Sequence, residues 1–386
     1  MRYIAGDPGD GSRAATMEGA EVGDTLRGAV IGAGGAVARL RHIPAFQEAA
    51  RRGTAELIAI CDPVATALDE AGDEAGIGTR YLDYREVLAR DDIDVVTIAT
   101  PNSLHEPIAI AALQAGKHVL CEKPLALSLD GARRMAAAAR VAGRATAVNY
   151  RYRWIPSARY LKELLENGEV GEVRQVFMNY FNAQVLDPST PIRWRQTRAE
   201  GGGVLADIGS HLIDLALWML GPIQRVRCDL RTFTRERPSG GNGKGKAMVD
   251  VDDAATCQLE FASGAVGVMN ASGLCLGRTN HQRIEVYGTL GGVVYEIDWP
   301  SDAGGDRLQV CFGAAQHRTA SMAPARTLPR HEATPLDPFL DFFQAIHDGR
   351  EAAVTFDDAV RVQEVLDAAE RSAAGGGVWV ELPTGR

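Results

Sequence analysis

Short apolar stretches alternate with stretches of helical periodicity from Leu26 to Asn149. The apolar stretches predict buried parallel strands, because each is β-branched or apolar and ends at a turn-forming or polar residue. The predicted strands are Leu26–Ile31, Leu57–Cys61, Val95–Ala99, His118–Cys121 and Thr146–Val148. The predicted helices are Ala36–Arg51, Ala65–Ala75, Pro107–Ala115 and Gly131–Val141, the last with Ser128 as N-cap and Gly143 as stop. This order predicts an α/β fold with a doubly wound parallel sheet, in which ligands bind at the carboxyl ends of the strands.

After Asn149 the pattern changes to one helix followed by longer alternating stretches, which predict an antiparallel sheet covered on one face. The expected helices are Ser157–Asn167, Pro338–His347 and Phe356–Ala373. The expected strands are Val173–Asn182, Val226–Thr234, Ala254–Phe261, Ala265–Ser272, Arg283–Tyr287, Val293–Ile297 and Val378–Leu382. Glycine and charge in Arg237–Lys246 predict a loop. We therefore expect a flexible tail over residues 1–25, a first domain with the doubly wound sheet over 26–150 and a second domain with the antiparallel sheet over 151–386.

Charge and cysteine usage narrow the class of protein. The formal net charge of −9 argues against nucleic acid as a partner, since phosphate binding needs a basic surface. No apolar run reaches the roughly 20 residues that span a bilayer, and the first 24 residues lack the order of a secretory signal. The six cysteines are far apart and form no CxxC pair, so we expect free thiols and a reducing, cytoplasmic compartment.

The first chemical motif is Gly32-Ala33-Gly34, which directly follows the first strand. A dinucleotide turn needs one glycine for the tight bend and another where the backbone approaches the pyrophosphate. Gly35, Ala36 and Val37 would then open a helix whose unpaired N–H groups face the phosphates. Val37 occupies the third position of the motif, where close packing of helix on strand normally requires a small residue.

Asp62 ends the second strand, 28 residues after Gly34. A carboxylate at this position can accept hydrogen bonds from the adenosine ribose and would repel a 2′-phosphate. No lysine or arginine occurs in the next four residues to offset that repulsion, so we expect NAD rather than NADP. The alternative is that Asp62 only caps the helix that begins after Pro63.

Two further motifs follow later strands, on the rim that faces the expected cofactor. They are Thr100-Pro101-Asn102, continued to His105, and Glu122-Lys123-Pro124. We expect both loops to contact the cofactor. Partial burial of Lys123 would let it take part in proton transfer, and the alternative is an ordinary solvated loop lysine.

The last motif is a glycine run, Gly201–Gly203, that leads into a helix ending near Leu220. Asp207, His211 and Asp214 are spaced so that they share one face of this helix. A histidine beside an aspartate suits acid–base chemistry near neutral pH. Two alternatives remain, a metal site on the same residues and a purely structural His–Asp pair.

These motifs resemble the glucose–fructose oxidoreductase and inositol dehydrogenase family, also called Gfo/Idh/MocA. The resemblance runs from Leu26 to the C-terminus and includes the EKP tripeptide at 122–124, the NYRYRW junction at 149–154 and the segment GGGVLADIGSHLIDL. It implies a Rossmann domain and a C-terminal α/β domain with a large, open, mostly antiparallel sheet that joins dimers or tetramers. It also implies that Lys123 is the catalytic lysine, and that Asp207 and His211 correspond to the aspartate and histidine of the polyol dehydrogenases.

On this basis we expect an NAD(P)-dependent oxidoreductase that interconverts a secondary alcohol and a ketone on a sugar, polyol or related small molecule. His211 would be the general base, Asp207 would orient its imidazole, and Lys123 would stabilise the developing alkoxide. Residues near the domain junction and before the glycine run are expected substrate contacts: Tyr150, Arg153, Trp194 and Arg195, of which Trp194 could equally be core.

Two other functions fit the same resemblance. A glycosidase that oxidises its sugar transiently with a tightly held NAD would release product without accumulating NADH. A non-catalytic regulator would keep the fold and the nucleotide, but loss of the lysine or of the Asp–His pair would be its sign, and Lys123, Asp207 and His211 are all present.

Overall fold

The computed structural model describes residues 25–240, 245–298, 307–313, 323–324 and 337–383. The predicted flexible tail lies outside the described residues except for Thr25, as do residues 241–244 of the predicted loop at Arg237–Lys246.

The N-terminal sheet is parallel and has six strands in the order β3-β2-β1-β4-β5-β6. The strands are β1 Leu26–Ile31, β2 Ala55–Cys61, β3 Arg80–Tyr81, β4 Val95–Ile98, β5 His118–Cys121 and β6 Thr146–Val148. This is the strand order of a dinucleotide-binding Rossmann domain, which confirms the predicted fold class. Strand β3 is absent from the predicted strands, because two residues carry too little periodicity to be recognised.

The helices of this part pack on both faces of the sheet. They are α1 Ile43–Arg51, α2 Ala65–Ala75, α3 Tyr84–Leu88, α4 His105–Gln114 and α5 Leu129–Ala142, and a π-helical turn over Ala38–His42 precedes α1. Both predicted ends of α5 are confirmed. The Ser128 side chain accepts a hydrogen bond from the Gly131 N–H at 3.1 Å, and Gly143 ends the helix in the left-handed conformation.

Within the described residues, the C-terminal sheet has nine strands in the order β16-β15-β14-β13-β7-β12-β11-β8-β17, of which β7 and β12 pair parallel and the other neighbours pair antiparallel. Its strands are β7 Val173–Phe181, β8 Ile223–Arg231, β11 Ala254–Phe261, β12 Val266–Ser272, β13 His281–Gly288, β14 Gly291–Asp298, β15 Arg307–Phe312, β16 Ala323–Pro324 and β17 Val380–Glu381. The predicted large, mostly antiparallel sheet is confirmed. Along β7, buried Val176, Met178 and Tyr180 alternate with more exposed residues, so one face of the sheet is covered and the other is open.

The segment Arg237–Lys246 was predicted as a loop, and this is wrong at its two ends. Strand β9 (Glu236–Pro238) pairs antiparallel with β10 (Lys246–Met248). Arg237 is 2% exposed and donates from Nη1 to the Asp187 carbonyl at 2.6 Å. Tertiary packing of this arginine overrides the loop propensity of its neighbours.

Helices α6 (Pro156–Glu166), α7 (Ser210–Leu220), α8 (Pro338–Asp348) and α9 (Phe356–Ala374) complete the chain. A π-helical turn over Leu205–Gly209 leads into α7. The helical stretch Arg198–Leu220 is long and apolar enough to cross a membrane by composition, but 78% of its most apolar window is buried inside the protein. It is therefore a core helix of the kind that packs on a sheet.

The two last helices return to the N-terminal sheet. The Phe339 ring meets the His42 ring edge-on at 4.7 Å, and the Phe343 ring lies 4.8 Å from that of Phe46. The Val148 N–H donates to the Val354 carbonyl at 3.0 Å. Helix α8 and the segment after it thus pack against the π-helical turn, α1 and β6.

Candidate active site

The glycine turn is closed against two neighbouring strands. The N–H groups of Gly32 and Ala33 both donate to the Cys61 carbonyl, at 2.8 and 3.0 Å. Gly32 has φ +88°, and a Cβ placed on it would lie 2.8 Å from the Ala99 carbonyl oxygen. A backbone that passes this close to the end of β4 leaves no room for a side chain at Gly32, as the tight bend of a dinucleotide turn requires.

The residue at the third position of the motif does not pack on the sheet. Val37 immediately precedes a π-helical turn over Ala38–His42 and is 38% exposed, whereas Ala38 is completely buried. Ala38 is the small residue that packs the helix against the strand.

We expect Gly32→Ala to weaken NAD binding at least about 10-fold, because the left-handed backbone is strained for alanine and its methyl group meets the Ala99 carbonyl. Gly264→Ala is a matched control, since Gly264 has the same φ of +88° with nothing within 4 Å of an added Cβ. Titration by fluorescence should show an unchanged Kd for Gly264→Ala. An unchanged Kd for Gly32→Ala would contradict the assignment of the turn.

Asp62 ties the glycine turn to the start of the next helix. Its Oδ2 accepts from the Gly34 N–H and its Oδ1 from the Val64 N–H, both at 2.9 Å. This second bond reaches the N–H of Val64, the N-cap residue of α2, and not the N–H groups of the first helical turn, so Asp62 forms a turn before the helix and does not cap it. A carboxylate has about four acceptor sites, so two remain for the ribose hydroxyls.

The loop after β4 joins the two parts of the chain. Asn102 Nδ2 donates to the Gly201 carbonyl at 3.0 Å, and Ser103 Oγ donates to Glu200 at 2.5 Å. The hydroxyl of Thr100 is buried without a hydrogen-bond partner among the described residues. Pro101 begins the turn, and its neighbour Asn102 is only 4% exposed.

His105 was predicted to contact the cofactor, but the structure gives it a different role. It is completely buried, with Nδ1 2.9 Å from the Pro124 carbonyl and Nε2 3.1 Å from the Thr100 carbonyl. Burial lowers the pKa of its imidazole. His105 therefore ties the loop after β4 to the loop after β5, next to the cis Lys123–Pro124 peptide bond.

Lys123 and Asp207 form a buried ion pair between the two parts of the chain. Lys123 Nζ donates to Asp207 Oδ1 at 2.8 Å and to the Asp207 carbonyl at 2.6 Å. Arg195 Nε and Gln184 Nε2 donate to the other carboxylate oxygen, at 3.1 and 2.9 Å. Burial alone would raise the pKa of Asp207, but the charges of Lys123 and Arg195 hold it well below its usual range. The alternative of a solvated loop lysine is therefore wrong.

His211 lies among three tyrosine rings. Its ring is 4.7 Å from that of Tyr152, 5.7 Å from Tyr150 and 6.1 Å from Tyr180. Burial and the nearby charge of Lys123 lower its pKa well below the ordinary value of 6.5, so the imidazole is neutral at neutral pH. Nδ1 is buried and has no hydrogen-bond partner among the described residues. A neutral, unpartnered imidazole is available as a proton acceptor.

The expectation that Asp207 orients His211 is wrong. The hydrogen bonds of the Asp207 carboxylate go to Lys123, Arg195 and Gln184. Helical spacing places Asp207 and His211 on one face of the helix. The Asp207 carboxylate nevertheless bonds to two cations and an amide that approach from other parts of the chain.

Arg153 was expected to contact the substrate, and the structure contradicts this. Its Nη2 lies 2.5 Å from Asp214 Oδ1, and its Nη1 donates to the Ala353 carbonyl at 3.2 Å. It lines a separate cavity beside Trp218 and α9. Because Asp214 is committed to Arg153 and Asp207 to Lys123, a metal site on this face loses two of its ligands.

Three other expected substrate contacts, Arg195, Trp194 and Tyr150, also have partners within the protein. The Arg195 guanidinium stacks 4.1 Å above the half-buried Trp194 ring, so this pair lies beside Asp207. Tyr150 is 1% exposed and forms part of the wall around His211.

The sequence analysis missed several polar residues of the site. Tyr152 Oη and Tyr180 Oη are 2.7 Å apart, Asn280 Nδ2 donates to Tyr152 Oη at 2.7 Å, and Tyr180 Oη donates to Asn280 Oδ1. These three side chains form a closed ring of hydrogen bonds behind His211. Tyr180 could have been predicted, because it lies at the same alternate positions of β7 as the apolar residues Val176 and Met178. Nothing local in the sequence indicated Asn280 or Gln184.

Comparisons with known proteins identify the family to which this sequence and fold are similar. A family model described as an oxidoreductase family with an NAD-binding Rossmann fold matches residues 26–150, and a model described as a GFO/IDH/MocA C-terminal domain matches residues 158–294. The chain is 34% identical over 356 residues to levoglucosan dehydrogenase of Pseudarthrobacter phenanthrenivorans, covering 85% of this chain and 89% of the relative. It is 30% identical over 257 residues to D-glucoside 3-dehydrogenase of Escherichia coli, covering 65% and 71%.

A solved structure of levoglucosan dehydrogenase in complex with NADH and levoglucosan superimposes with a TM-score of 0.83 at 31% identity, covering 93% of this chain and all of that one.

Proposed function

The chain belongs to the GFO/IDH/MocA family of NAD-dependent oxidoreductases that act on CH–OH groups, and on that premise we propose that it oxidises a ring hydroxyl of a pyranose-type sugar. The observation that carries the proposal is the buried Lys123–Asp207 pair beside a neutral His211. It places a hydrogen-bond donor and a proton acceptor together at the rim of the Rossmann sheet.

The residues that would hold NAD are those at the carboxyl ends of the strands. The glycine turn and the first residues of the helix after it would bind the pyrophosphate, and Asp62 would bind the ribose hydroxyls. When bound, the nicotinamide supplies hydride acceptance and donation, which no side chain can provide.

The side chains supply the proton chemistry. His211 accepts the proton of the substrate hydroxyl, since its lowered pKa keeps it neutral and its Nδ1 has no hydrogen-bond partner in the described part of the chain. The Lys123 ammonium donates a hydrogen bond to the same oxygen and stabilises the developing negative charge. A donor aimed in this way typically contributes about 3 kcal/mol. Asp207, held by Arg195 and Gln184, fixes the direction of the Lys123 ammonium.

The substrate class is supported by the relatives and by the polar rim of the site. The most similar relatives include levoglucosan dehydrogenase and D-glucoside 3-dehydrogenase, both named for compact cyclic sugars. Gln184, Arg195 and the Trp194 ring border the ion pair, and amide, guanidinium and aromatic groups are suited to sugar hydroxyls and C–H faces.

The test is a screen of NAD reduction at 340 nm with levoglucosan, methyl glucosides, free hexoses and inositols. We expect NADH to accumulate with at least one anhydrosugar or glycoside, and activity with NADP to be at least about 10-fold lower because of Asp62. Bond cleavage of a glycoside without net NADH would instead indicate the redox-assisted glycosidase. Binding of NAD without turnover of any member of the panel would indicate the non-catalytic regulator.

We also propose that the open face of the C-terminal sheet joins copies of the chain into a dimer or tetramer. Phe177 and Val266 on this face are 39% and 44% exposed, and the Phe177 ring packs against that of Tyr287. An isologous contact would cover these side chains. Light scattering on the wild type and on Phe177→Glu tests this, and a monomeric wild type would refute it.

A further inference from the structure

Glu122 is a buried carboxylate directly before Lys123, and two of its partners come from outside its own strand. His42 Nε2 lies 3.1 Å from Glu122 Oε1, and Asn149 Nδ2 donates to the same oxygen at 2.5 Å. The Lys123 N–H donates to Oε2 at 3.3 Å. His42 is completely buried and Glu122 is 8% exposed, so the contacts are shielded from water.

The network connects three elements that meet at the carboxyl edge of the sheet. His42 ends the π-helical turn after the glycine turn, Glu122 follows β5, and Asn149 follows β6. The His42 ring is fixed on its other side by the edge-on contact with Phe339 of α8. The network therefore joins the helix of the cofactor turn to the strand end that carries Lys123.

Stability alone gives a poor reason for such a network. A buried carboxylate loses so much hydration that well-packed apolar residues of similar volume are often equally stabilising or better. Burial by itself would raise the pKa of Glu122, but His42, Asn149 and the Lys123 charge lower it, so the carboxylate stays ionised. What the network does provide is a fixed direction for the backbone at Lys123.

We propose that His42 and Asn149 are positioning residues that act through Glu122 to fix the backbone of Lys123 while Asp207 fixes its ammonium. This inference rests on the proposed function, in which Lys123 stabilises the substrate oxygen. Lys123 is then held at both ends, by the N-terminal part of the chain through Glu122 and by the C-terminal part through Asp207.

The network makes a graded prediction. His42→Leu removes the polar contact to Glu122, so we expect kcat to fall at least about 10-fold, as displacements near 1 Å can cost up to 100-fold. The Kd for NAD and the KM for sugar should stay within about 3-fold of wild type. His42→Gln keeps a side-chain donor and should recover kcat to within about 3-fold of wild type. Asn149→Leu should show the same split as His42→Leu.

Two further variants serve as controls. His42→Leu combined with Glu122→Gln removes the unpaired buried charge, so that a folded enzyme can be measured if the single variant does not fold. The double variant should also have a lowered kcat and a Kd for NAD close to that of wild type. His347→Gln is the matched histidine control, because His347 Nε2 also has a polar partner, the Thr54 carbonyl at 2.8 Å, which lies directly before β2 and not at the carboxyl edge of the sheet. Its kinetics should be unchanged.

Rates are expressed per NAD-binding site, which separates turnover from loss of folded protein. A folded His42→Leu enzyme with wild-type kcat and a lowered Tm would overturn the inference, since the network would then be structural only. Loss of NAD binding in parallel with kcat would also overturn it, because His42 would then serve the cofactor. These outcomes differ from failure of the proposed function, in which wild type reduces NAD with no sugar or Lys123→Ala keeps full turnover.

Discussion

We expect Lys123→Ala to lower kcat for sugar oxidation at least about 100-fold, the usual scale for loss of a positioned proton donor or acceptor. The variant removes the ammonium that lies 2.8 Å from Asp207 Oδ1, and with it the donor to the developing alkoxide. NAD binding should survive, because the glycine turn and Asp62 are untouched. Steady-state kinetics with the best sugar of the screen, together with an NAD titration, measure both quantities.

Lys246→Ala is the matched control for this lysine. Lys246 also forms an ion pair, with Glu236 at 2.9 Å, but its side chain is 73% exposed. An exposed pair contributes little, so kcat should not change. Near-normal turnover by Lys123→Ala would show that the ion pair with Asp207 is structural and that another group stabilises the alkoxide.

We expect His211→Ala to lower kcat by a similar factor of at least about 100, because the proton acceptor next to the substrate hydroxyl is lost. The reverse reaction with NADH and the keto-sugar should fall by a similar factor, since the same group returns the proton. His347→Ala, on α8, should leave both directions unchanged. Normal oxidation by His211→Ala would mean that Lys123 or solvent accepts the proton.

The pH dependence of the wild type gives a second test of His211. A general base works in its neutral form, and a histidine with a lowered pKa stays neutral down to lower pH than an ordinary one. Burial and Lys123 lower the pKa of His211 well below 6.5. The acidic limb of kcat/KM should therefore lie below pH 6.5. A limb near pH 7 that persists in His211→Ala would assign it to another group.

The sequence predicted the Rossmann sheet well because its signals are local. The strands Leu26–Ile31, His118–Cys121 and Thr146–Val148 are observed with the predicted limits. Each is a short apolar stretch that ends at a polar or turn-forming residue, which a single strand shows without its neighbours. Strand β3 has only two residues, and Arg237 forms a strand within a segment whose composition predicts a loop. Neither strand could be recognised without the tertiary structure.

The sequence predicted which residues gather at the site, but it did not predict which of their side chains contact one another. The sequence by itself determined that a glycine turn, Asp62, the loop after β4 and Lys123 stand at successive strand ends, and that Asp207 and His211 share a helix face. Strand ends of a parallel sheet meet at one edge whatever the details of packing, which is why this part follows from order and spacing.

Only the tertiary structure decided which charges meet. Lys123 pairs with Asp207, 84 residues away, Arg153 pairs with Asp214, and the Glu122 carboxylate contacts Nε2 of the His42 ring. Periodicity fixes the face on which a side chain lies, but its partner depends on how separate elements dock and on which cation comes within about 3 Å. Burial then makes each pairing decisive, because a charge removed from water needs a partner nearby. Because the Asp207 carboxylate bonds to Lys123, Arg195 and Gln184, it forms no hydrogen bond to His211 among the described residues. The lowered pKa of His211 keeps its imidazole neutral, as a proton acceptor must be.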